Sequence, residues 1–214
     1  NRLHQALIKL GVDSKILVAD KSSVDSNVIG PSSSFEIIIN QLKIILSRYL
    51  QRKLIKTSNK ETFSFNFFNT NVLKKINSIN ADIVHLHWIG NEMISISQLK
   101  KIKKPIIWSF WDMWPICGAE HHSYDERYIQ GYTKANRPNN EGGLDLNRYI
   151  WEYKKKKFNF NFTITTPSKW FFDKVKTSSL HQNKKIIHIP LNIDCSKWKP
   201  RNIEFSKDIF KIKD

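Results

Sequence analysis

The sequence predicts an α/β domain with a doubly wound parallel sheet, chiefly from the segment between residues 81 and 122. Two short, β-prone and mostly apolar runs at 83–88 and 106–110 flank a predicted helix over 95–103. Near-continuous apolar strands that alternate with helices are typical of a parallel sheet covered on both faces. Polar and aromatic side chains follow each run, and ligands of such sheets bind at the carboxyl ends of the strands. We therefore expect a functional site after residues 87 and 110.

The other elements follow from local patterns along the chain. Helices are predicted where apolar residues recur with a helical period, at 2–10, 34–56, 69–80, 144–158 and 168–177. Further strands are predicted for β-prone runs at 15–19, 62–68, 162–166 and 185–190. Residues 20–34 are expected to form a serine-rich loop, and residues 200–214 contain no obvious element. Helices and strands therefore alternate over most of the chain.

The predicted helix over 34–56 is amphipathic, with a possible N-cap at Ser34. Its apolar stripe, which we expect to face the core, comprises Phe35, Ile38, Ile39, Leu42, Ile45, Leu46, Tyr49 and Leu50. Two isoleucines lie on the other side among basic side chains, namely Ile37 and Ile44 with Lys43, Arg48, Arg52, Lys53 and Lys56. An ordinary surface helix explains this pattern. The alternative is a helix that lies on an anionic membrane, with these five basic groups at the lipid headgroups.

Length and composition bound the class of protein. The chain has 214 residues and 40% hydrophobic content, which is enough for one substantial core. No apolar run approaches the ~20 residues that cross a bilayer, and no secretory signal is visible. Cys117 and Cys195 are far apart and fit no disulfide framework. We therefore expect a cytoplasmic protein, with peripheral attachment to the inner face of the cell membrane as a further expectation.

The net charge of +16 predicts attraction to an anionic partner. Nucleic acid is one alternative, but the basic residues are scattered and no RNA- or DNA-binding motif is recognisable. Frequent Lys, Asn and Ile would also arise from an AT-rich genome, so part of the charge needs no partner. We therefore expect no nucleic-acid partner.

A long connection over 115–143 follows the second of the two central runs. Unstructured connections of this length are uncommon in compact domains and are usually functional or disordered. Disorder fits poorly, since the segment contains Tyr124, Tyr128, Tyr132, His121 and His122. The segment also holds four of the seven glycines. Glycine lets backbone amides approach a ligand closely. An aromatic, polar loop near the strand ends indicates a sugar-binding surface.

Six segments, in this order, resemble the amino-terminal half of family 4 glycosyltransferases. They are HLHWIGNEMISISQLKKIKKPIIWSFWDMWPICGAEHH, DERYIQGYTKANRP, GLDLNRYIWEYKKKKF, TTPSKWFFDKV, SSL and IPLNIDCSKWKP. The first is similar to a segment that reads approximately W-x-x-H-D-M-W-x-x-x-G-x-x-H in bacterial enzymes of polysaccharide or surface-glycan assembly. Each motif alone is weak, but their order and compatible spacing over residues 2–200 are specific.

The resemblance implies two Rossmann-like domains that face each other across a cleft, the GT-B architecture. The first domain would bind the glycan or lipid-linked acceptor and the second the nucleotide-sugar donor. Transfer would retain the anomeric configuration without a metal or another cofactor. Residues 1–200 would form the first domain without its first strand, which we expect upstream of Asn1. Residues 201–214 would begin the linker to an absent donor domain, so the fragment alone should be inactive.

The site residues follow from the resemblance and from the strand ends together. Asp112 and His121 are predicted to be catalytic, and the predicted substrate-binding residues are His87, Trp88, Trp111, Trp114, Glu120 and Arg127. His87 is expected to face the cleft, whereas His85 is expected to pack in the core. Cys117, His121 and His122 lack any established zinc spacing, so no metal is expected.

One position departs from the family pattern. Trp111 stands where the family usually has histidine, directly before Asp112. Tryptophan can stack but cannot accept or donate a proton as histidine does. Either a neighbour such as His121 takes over, or the site has weakened or changed its substrate. A non-catalytic GT-B-like partner of a glycan-assembly complex is therefore the main alternative function.

Overall fold

The computed structural model describes residues 1–57, 59–191, 193, 195 and 198–212. The helices are α1 Arg2–Lys9, α2 Ser34–Leu54, α3 Val72–Ser78, α4 Ile96–Leu99, α5 Arg127–Gln130, α6 Leu146–Lys157, α7 Lys169–Thr177 and α8 Ile203–Phe210. The strands are β1 Ile16–Leu17, β2 Val28–Ile29, β3 Ile55–Lys56, β4 Val84–Leu86, β5 Ile106–Ser109, β6 Gly142–Gly143, β7 Thr163–Thr166 and β8 Lys185–His188. The predicted α/β class is confirmed.

The central sheet has four parallel strands in the order β4-β5-β7-β8, consistent with a Rossmann-like fold. β1 and β2 form a separate parallel pair, and β3 pairs antiparallel with β6. Because all four central strands run in one direction, their carboxyl ends meet at one edge of the sheet. The residues that follow β4 and β5 are therefore neighbours, which positions the site.

The sheet is covered chiefly on one face. Leu86, Trp108 and Ile164 are paired across three strands and fully buried. They share a single hydrophobic core with buried side chains from α3, α4, α6 and α7. At alternate positions on the opposite face, Ile83 is 54% exposed and Ile187 is 36% exposed. On the same face Ser109 and Thr165 of the central strands are buried, so among the described residues the expectation of a sheet covered on both faces is met only in part.

Helix α2 buries Glu36 and Ser47 and turns most of its apolar stripe outward, which largely reverses the sequence prediction, although Leu50 of that stripe packs against the core. Phe35 is 72% exposed and Ile45 is 63% exposed, although both belong to the stripe expected to face the core. Lys43 instead turns inward, where its Nζ donates to the carbonyl of Asn69 at 2.8 Å. Lys43 therefore does not belong to an outward basic face. No helix in the described ranges is both long and apolar enough to cross a bilayer.

Several boundaries also differ from the prediction. Ser33, rather than Ser34, caps α2, and Lys56 lies in β3 instead of the helix. The expected strand over 62–68 is reduced to one antiparallel bridge between Phe63 and Glu120. The serine-rich loop contains β2, and the carboxyl-terminal segment contains α8. The segment IPLNIDCSKWKP, which by the resemblance would be the hinge between the two domains, includes residues 192, 194, 196 and 197, which lie outside the described residues.

Candidate functional site

A shallow pocket open to solvent lies at the carboxyl ends of β4 and β5, where the empty space, counted together with adjoining open solvent, is about 220 Å³. It is lined by His87, Trp88, Ile89, Gly90, Trp108, Ser109, Trp111, Asp112, Trp114, Pro115 and His121. This is the edge of the sheet at which the sequence predicts a site. Five of the lining residues are aromatic or imidazole rings that follow β4 and β5, so the walls combine flat apolar faces with a few polar atoms.

A hydrogen-bonded cluster of Trp88, Asp112 and His121 lies in this pocket. His121 Nδ1 is 2.6 Å from Asp112 Oδ2, and Trp88 Nε1 donates to the same oxygen at 2.9 Å. Because a carboxylate can only accept, His121 Nδ1 must carry the hydrogen. The 3.3 Å approach between Trp88 Nε1 and His121 Nδ1 then joins two donors and is no bond. The amide of Trp114 donates to Asp112 Oδ1 at 3.0 Å.

Ser64 completes the cluster on the far side of the imidazole. Its Oγ is 2.8 Å from His121 Nε2 and also accepts from the amide of Asn91 at 3.2 Å. A serine hydroxyl, an imidazole and a carboxylate in a row can form the triad of a hydrolase. Ser64 is only 1% exposed and does not line the pocket, so its oxygen cannot meet a substrate. Ser64 therefore orients His121, and Asp112, whose side chain is 25% exposed against 9% for His121, is the more accessible of the two to a ligand in the pocket.

Antiparallel pairing of two chain segments places His121 in the pocket. The amide of Ser64 donates to the carbonyl of Ala119 at 2.8 Å, and that of His121 donates to Thr62 at 2.9 Å. The carbonyl of His121 accepts from the amide of Met113 at 3.0 Å. The loop after β5 thus folds back on itself, which brings His121 beside Asp112.

Gly90 fits beneath the ring of Trp88. A Cβ on Gly90 would lie 2.5 Å from Trp88 Cζ2, closer than real side chains approach. Two neighbouring residues, Asn91 and Glu92, have positive φ angles of 52° and 58°. Such backbone persists only where surrounding contacts hold it.

The buried carboxylate of Glu92 provides those contacts. It accepts from the amides of Asn66 at 2.8 Å and Phe68 at 3.1 Å, and from the Ser47 hydroxyl at 2.9 Å. Asn66 Nδ2 donates in turn to the carbonyl of Ile89 at 2.7 Å. Helix α2 and the segment over 64–68 are therefore joined to the loop that carries Trp88.

His85 and His87 lie side by side, with ring centroids 4.2 Å apart. The expectation that they face opposite ways is wrong, because residues two apart on a strand share a face. His85 is exposed and its Nε2 is 2.8 Å from Ser109 Oγ, so this ring does not pack in the core. Trp111 stacks on His87 and donates from Nε1 to His87 Nδ1 at 3.2 Å. Desolvation, with the neighbouring His85, lowers the pKa of His87 to about 4, so the ring is neutral at pH 7.

Lys154 of α6 holds the loop that follows Asp112. Its Nζ donates to the carbonyls of Trp114, Cys117 and Gly118, and it lies 3.8 Å from the centre of the Trp114 ring. The side chain is completely buried, and burial lowers the pKa of Lys154 to about 7. Three carbonyls and one aromatic face satisfy the amine, so α6 fixes the floor of the pocket.

Two predicted substrate-binding residues lie away from the pocket. Glu120 is buried, accepts from the Tyr132 hydroxyl at 2.5 Å, and has a pKa raised by burial. Arg127 is buried too, and its guanidinium pairs with Asp125 at 3.1 Å and Glu141 at 3.3 Å. Both side chains are engaged inside the 115–143 segment and neither lines the pocket, so their contact with substrate stays a prediction.

Many side chains of the 115–143 segment are buried in the core rather than exposed to solvent. Tyr128 and Tyr132 belong to the hydrophobic core, whereas Tyr124 is exposed and donates to Glu61 at 2.9 Å. The aromatic sugar-binding surface predicted for this loop is therefore not formed by its tyrosines. Trp114 is likewise buried, and it contributes to the pocket only as a wall.

Sequence reasoning missed Ser64, Glu92 and Lys154. Lys154 carried a signal, since it continues the buried stripe of α6 that contains Asn147, Ile150 and Trp151. A lysine at a stripe position predicts a buried amine with several acceptors. Ser64 and Glu92 carried none, because their partners lie 57 and 26 residues away in the chain and meet only through the tertiary fold.

Four of the five basic residues predicted to contact a membrane are exposed, and the fifth, Lys43, is half-buried. Arg48, Arg52 and Lys53 are exposed on α2, and Lys56 is exposed on β3. Among the described residues no group of three His, Cys, Asp or Glu side chains is arranged to hold a metal ion, and the absence of a metal stays a prediction.

Comparisons with protein-family models, curated proteins and solved structures give no match for this chain. The glycosyltransferase family therefore stays a prediction.

Proposed function

We propose that this chain is the acceptor-side half of a glycosyltransferase of cell-surface polysaccharide synthesis on the cytoplasmic side. It would take part in moving a sugar from a nucleotide donor to a glycan or lipid-linked acceptor. The observation that carries the proposal is the cluster of Asp112, His121 and Trp88 at adjacent strand ends. The cluster lies within the longest of the six segments that resemble family 4 glycosyltransferases.

The pocket has the chemistry that sugar recognition requires. Asp112 Oδ2 is held by two donors and borders the pocket, so it is oriented to accept a further hydrogen bond from a sugar hydroxyl. Trp88 is 44% exposed and Trp111 is 42% exposed, which leaves part of each ring available to stack on a sugar face. Because the donors around Asp112 are already in place, little reorganisation is needed when a substrate binds.

The nucleotide-sugar would be held by a second domain, as the resemblance implies, and transfer would need no metal. In this division of roles Asp112 positions the acceptor, Trp88 and His121 hold Asp112, and Ser64 orients His121. Both ring nitrogens of His121 are hydrogen-bonded, one to Asp112 and the other to Ser64. His121 can therefore act on the substrate only if one of these two bonds breaks.

Trp111 favours a second candidate, a non-catalytic partner that retains the fold. Its indole nitrogen is already bonded to His87, and the ring has no group that can transfer a proton. A protein of this kind would bind a glycan or nucleotide-sugar without turnover.

Sugar transfer by the complete gene product separates the two candidates. The protein is incubated with a panel of UDP- and GDP-sugars and membrane extracts as acceptors, and labelled product is counted. Transfer from at least one donor is the expected result. Saturable binding of a donor or acceptor without transfer or hydrolysis would favour the non-catalytic partner, and an absence of binding and turnover would contradict both.

A further inference from the structure

The outward side of α2 is an apolar surface that no described residue covers. We call Phe35, Ile38, Leu42, Ile45, Leu46 and Tyr49 the outer face of α2, and all six are exposed. They recur at the spacing of one helical face along 21 residues, a length of about 30 Å. Contiguous apolar patches of this kind on a soluble domain mark an interaction surface.

The inward side of α2 is already satisfied by polar contacts. Glu36 pairs with Lys75 at 2.9 Å, and Ser47 donates to Glu92 at 2.9 Å. Rotating the helix to bury its outer face would break both contacts and separate α2 from the loop that carries Trp88. The exposed orientation is therefore the one that the rest of the domain stabilises.

The charges beside the outer face have one sign. Arg48, Arg52 and Lys53 are exposed near the carboxyl end of α2. Glu36 is the sole acidic residue in the sequence of the helix, and it is buried against Lys75. An apolar face flanked by cations and free of exposed carboxylates complements an anionic lipid surface, in which acyl chains accept the apolar side chains and headgroups accept the cations.

We propose that the outer face of α2 docks this domain on an anionic membrane. The helix lies parallel to the surface, with its apolar side chains at the boundary of headgroups and acyl chains. Arg48, Arg52 and Lys53 contact the headgroups. This inference does not depend on sugar transfer, since its readout is lipid binding by the chain itself.

Co-sedimentation with vesicles tests the docking. The chain should bind vesicles of phosphatidylglycerol and phosphatidylcholine, bind phosphatidylcholine alone far more weakly, and detach as salt rises. Each cation near an anionic surface contributes about fivefold in partitioning, so Arg48→Gln with Arg52→Gln and Lys53→Gln should weaken binding on the order of 100-fold. Leu42→Ser with Ile45→Ser should also weaken it, because the apolar insertion is reduced.

A matched control removes the same charge elsewhere. Lys100, Lys101 and Lys103 are exposed after α4, and changing all three to Gln should alter binding by no more than a few-fold. Equal binding to neutral vesicles, or equal losses in the two triple variants, would overturn the proposal. It would also be overturned if the lipid-free chain were a stable dimer that Leu42→Ser converts to a monomer, since the outer face would then be a contact between copies.

Discussion

Asp112 accepts hydrogen bonds from the indole of Trp88, the imidazole of His121 and the amide of Trp114. The sequence predicted Asp112, His121 and Trp88 as site residues because they follow adjacent strands of a parallel sheet. It could not predict Ser64, which reaches His121 only through the pairing of two distant segments. Residue type and strand position therefore identify the groups of a site, whereas their orientation depends on tertiary contacts.

The variant Gly90→Ala tests whether turnover depends on the position of the Trp88 ring. In Gly90→Ala the added Cβ would lie 2.5 Å from the Trp88 ring, so we expect the ring to move and its bond to Asp112 to lengthen or break. If the complete protein transfers sugar as proposed, its turnover should fall by roughly tenfold, since loss of a positioned polar contact has effects of this order. Steady-state kinetics measure the change, and tryptophan fluorescence reports movement of the ring.

Gly142→Ala is the matched control for Gly90→Ala. A Cβ on Gly142 would lie 3.6 Å from the nearest atom of Lys56, an ordinary contact, and its φ is not positive. This variant should keep its turnover. Equal turnover in Gly90→Ala, Gly142→Ala and the unmodified enzyme would show that the Trp88 contact is not needed.

The buried ring of His181 should make the folded chain less stable in acid. The ring is completely buried, it donates from Nε2 to the Pro115 carbonyl at 2.9 Å, and burial lowers its pKa to about 4. An unfolded histidine titrates near 6.5, so between these values the unfolded chain binds more protons than the folded chain. The free energy of unfolding should therefore fall by about 3 kcal/mol as pH drops from about 6.5 to about 4.

The variant His181→Gln retains a donor but cannot titrate in this range. It should be less stable than the unmodified chain at pH 7, because the ring packing against Phe158 is lost. Its loss of stability on acidification should be smaller. Urea unfolding at both ends of the range measures the difference, and an identical loss in both proteins would exclude His181 as the cause.

At the scale of elements, periodicity and capping residues predicted most helices and central strands. The helix predicted over 168–177 is α7, and Ser168 caps it by accepting from the amide of Phe171 at 3.2 Å. Helix α2 shows the limit of this reasoning. Periodicity identifies which side chains share a face, but the covered face was chosen by polar partners such as Lys75 and Glu92. Those partners are visible only in the folded chain.

Lys154 joins two elements, α6 and the loop after β5, through three carbonyls. In Lys154→Met these buried acceptors lose their donor, which should lower the free energy of unfolding by about 3 kcal/mol. Urea unfolding measures this change. Lys155→Met is the matched control because Lys155 is exposed on the same helix. Equal free energies of unfolding in Lys154→Met and Lys155→Met would show that the bonds from Lys154 to these carbonyls do not stabilise the fold.

The same lysine makes stability depend on pH at the alkaline side. Its pKa is about 7 in the folded chain and near 10.5 when unfolded. Between these values the unfolded chain binds more protons, so stability should rise with pH. This rise should disappear in Lys154→Met, and its persistence would assign it to another group.

At the scale of the whole molecule, one sheet carries a core on one side and a site at its carboxyl edge. The sequence predicted that the site lies at one edge of the sheet, because the carboxyl ends of parallel strands meet there. It did not predict that Ile83 and Ile187 on the opposite face would be exposed. The apolar content of the strands shows that a face of the sheet can be buried, but only the tertiary structure shows which face is buried.

The central claim is that Asp112 positions a sugar for transfer, and turnover of the complete protein tests it most directly. The rate constant kcat is compared for the unmodified enzyme, Asp112→Asn, and Asp82→Asn as a control at an exposed aspartate before β4. Asparagine keeps the shape but removes the charge that His121 and Trp88 hold. A loss of ~10²-fold in Asp112→Asn alone is the result that we predict. A folded Asp112→Asn variant within a few-fold of the unmodified rate would contradict the claim.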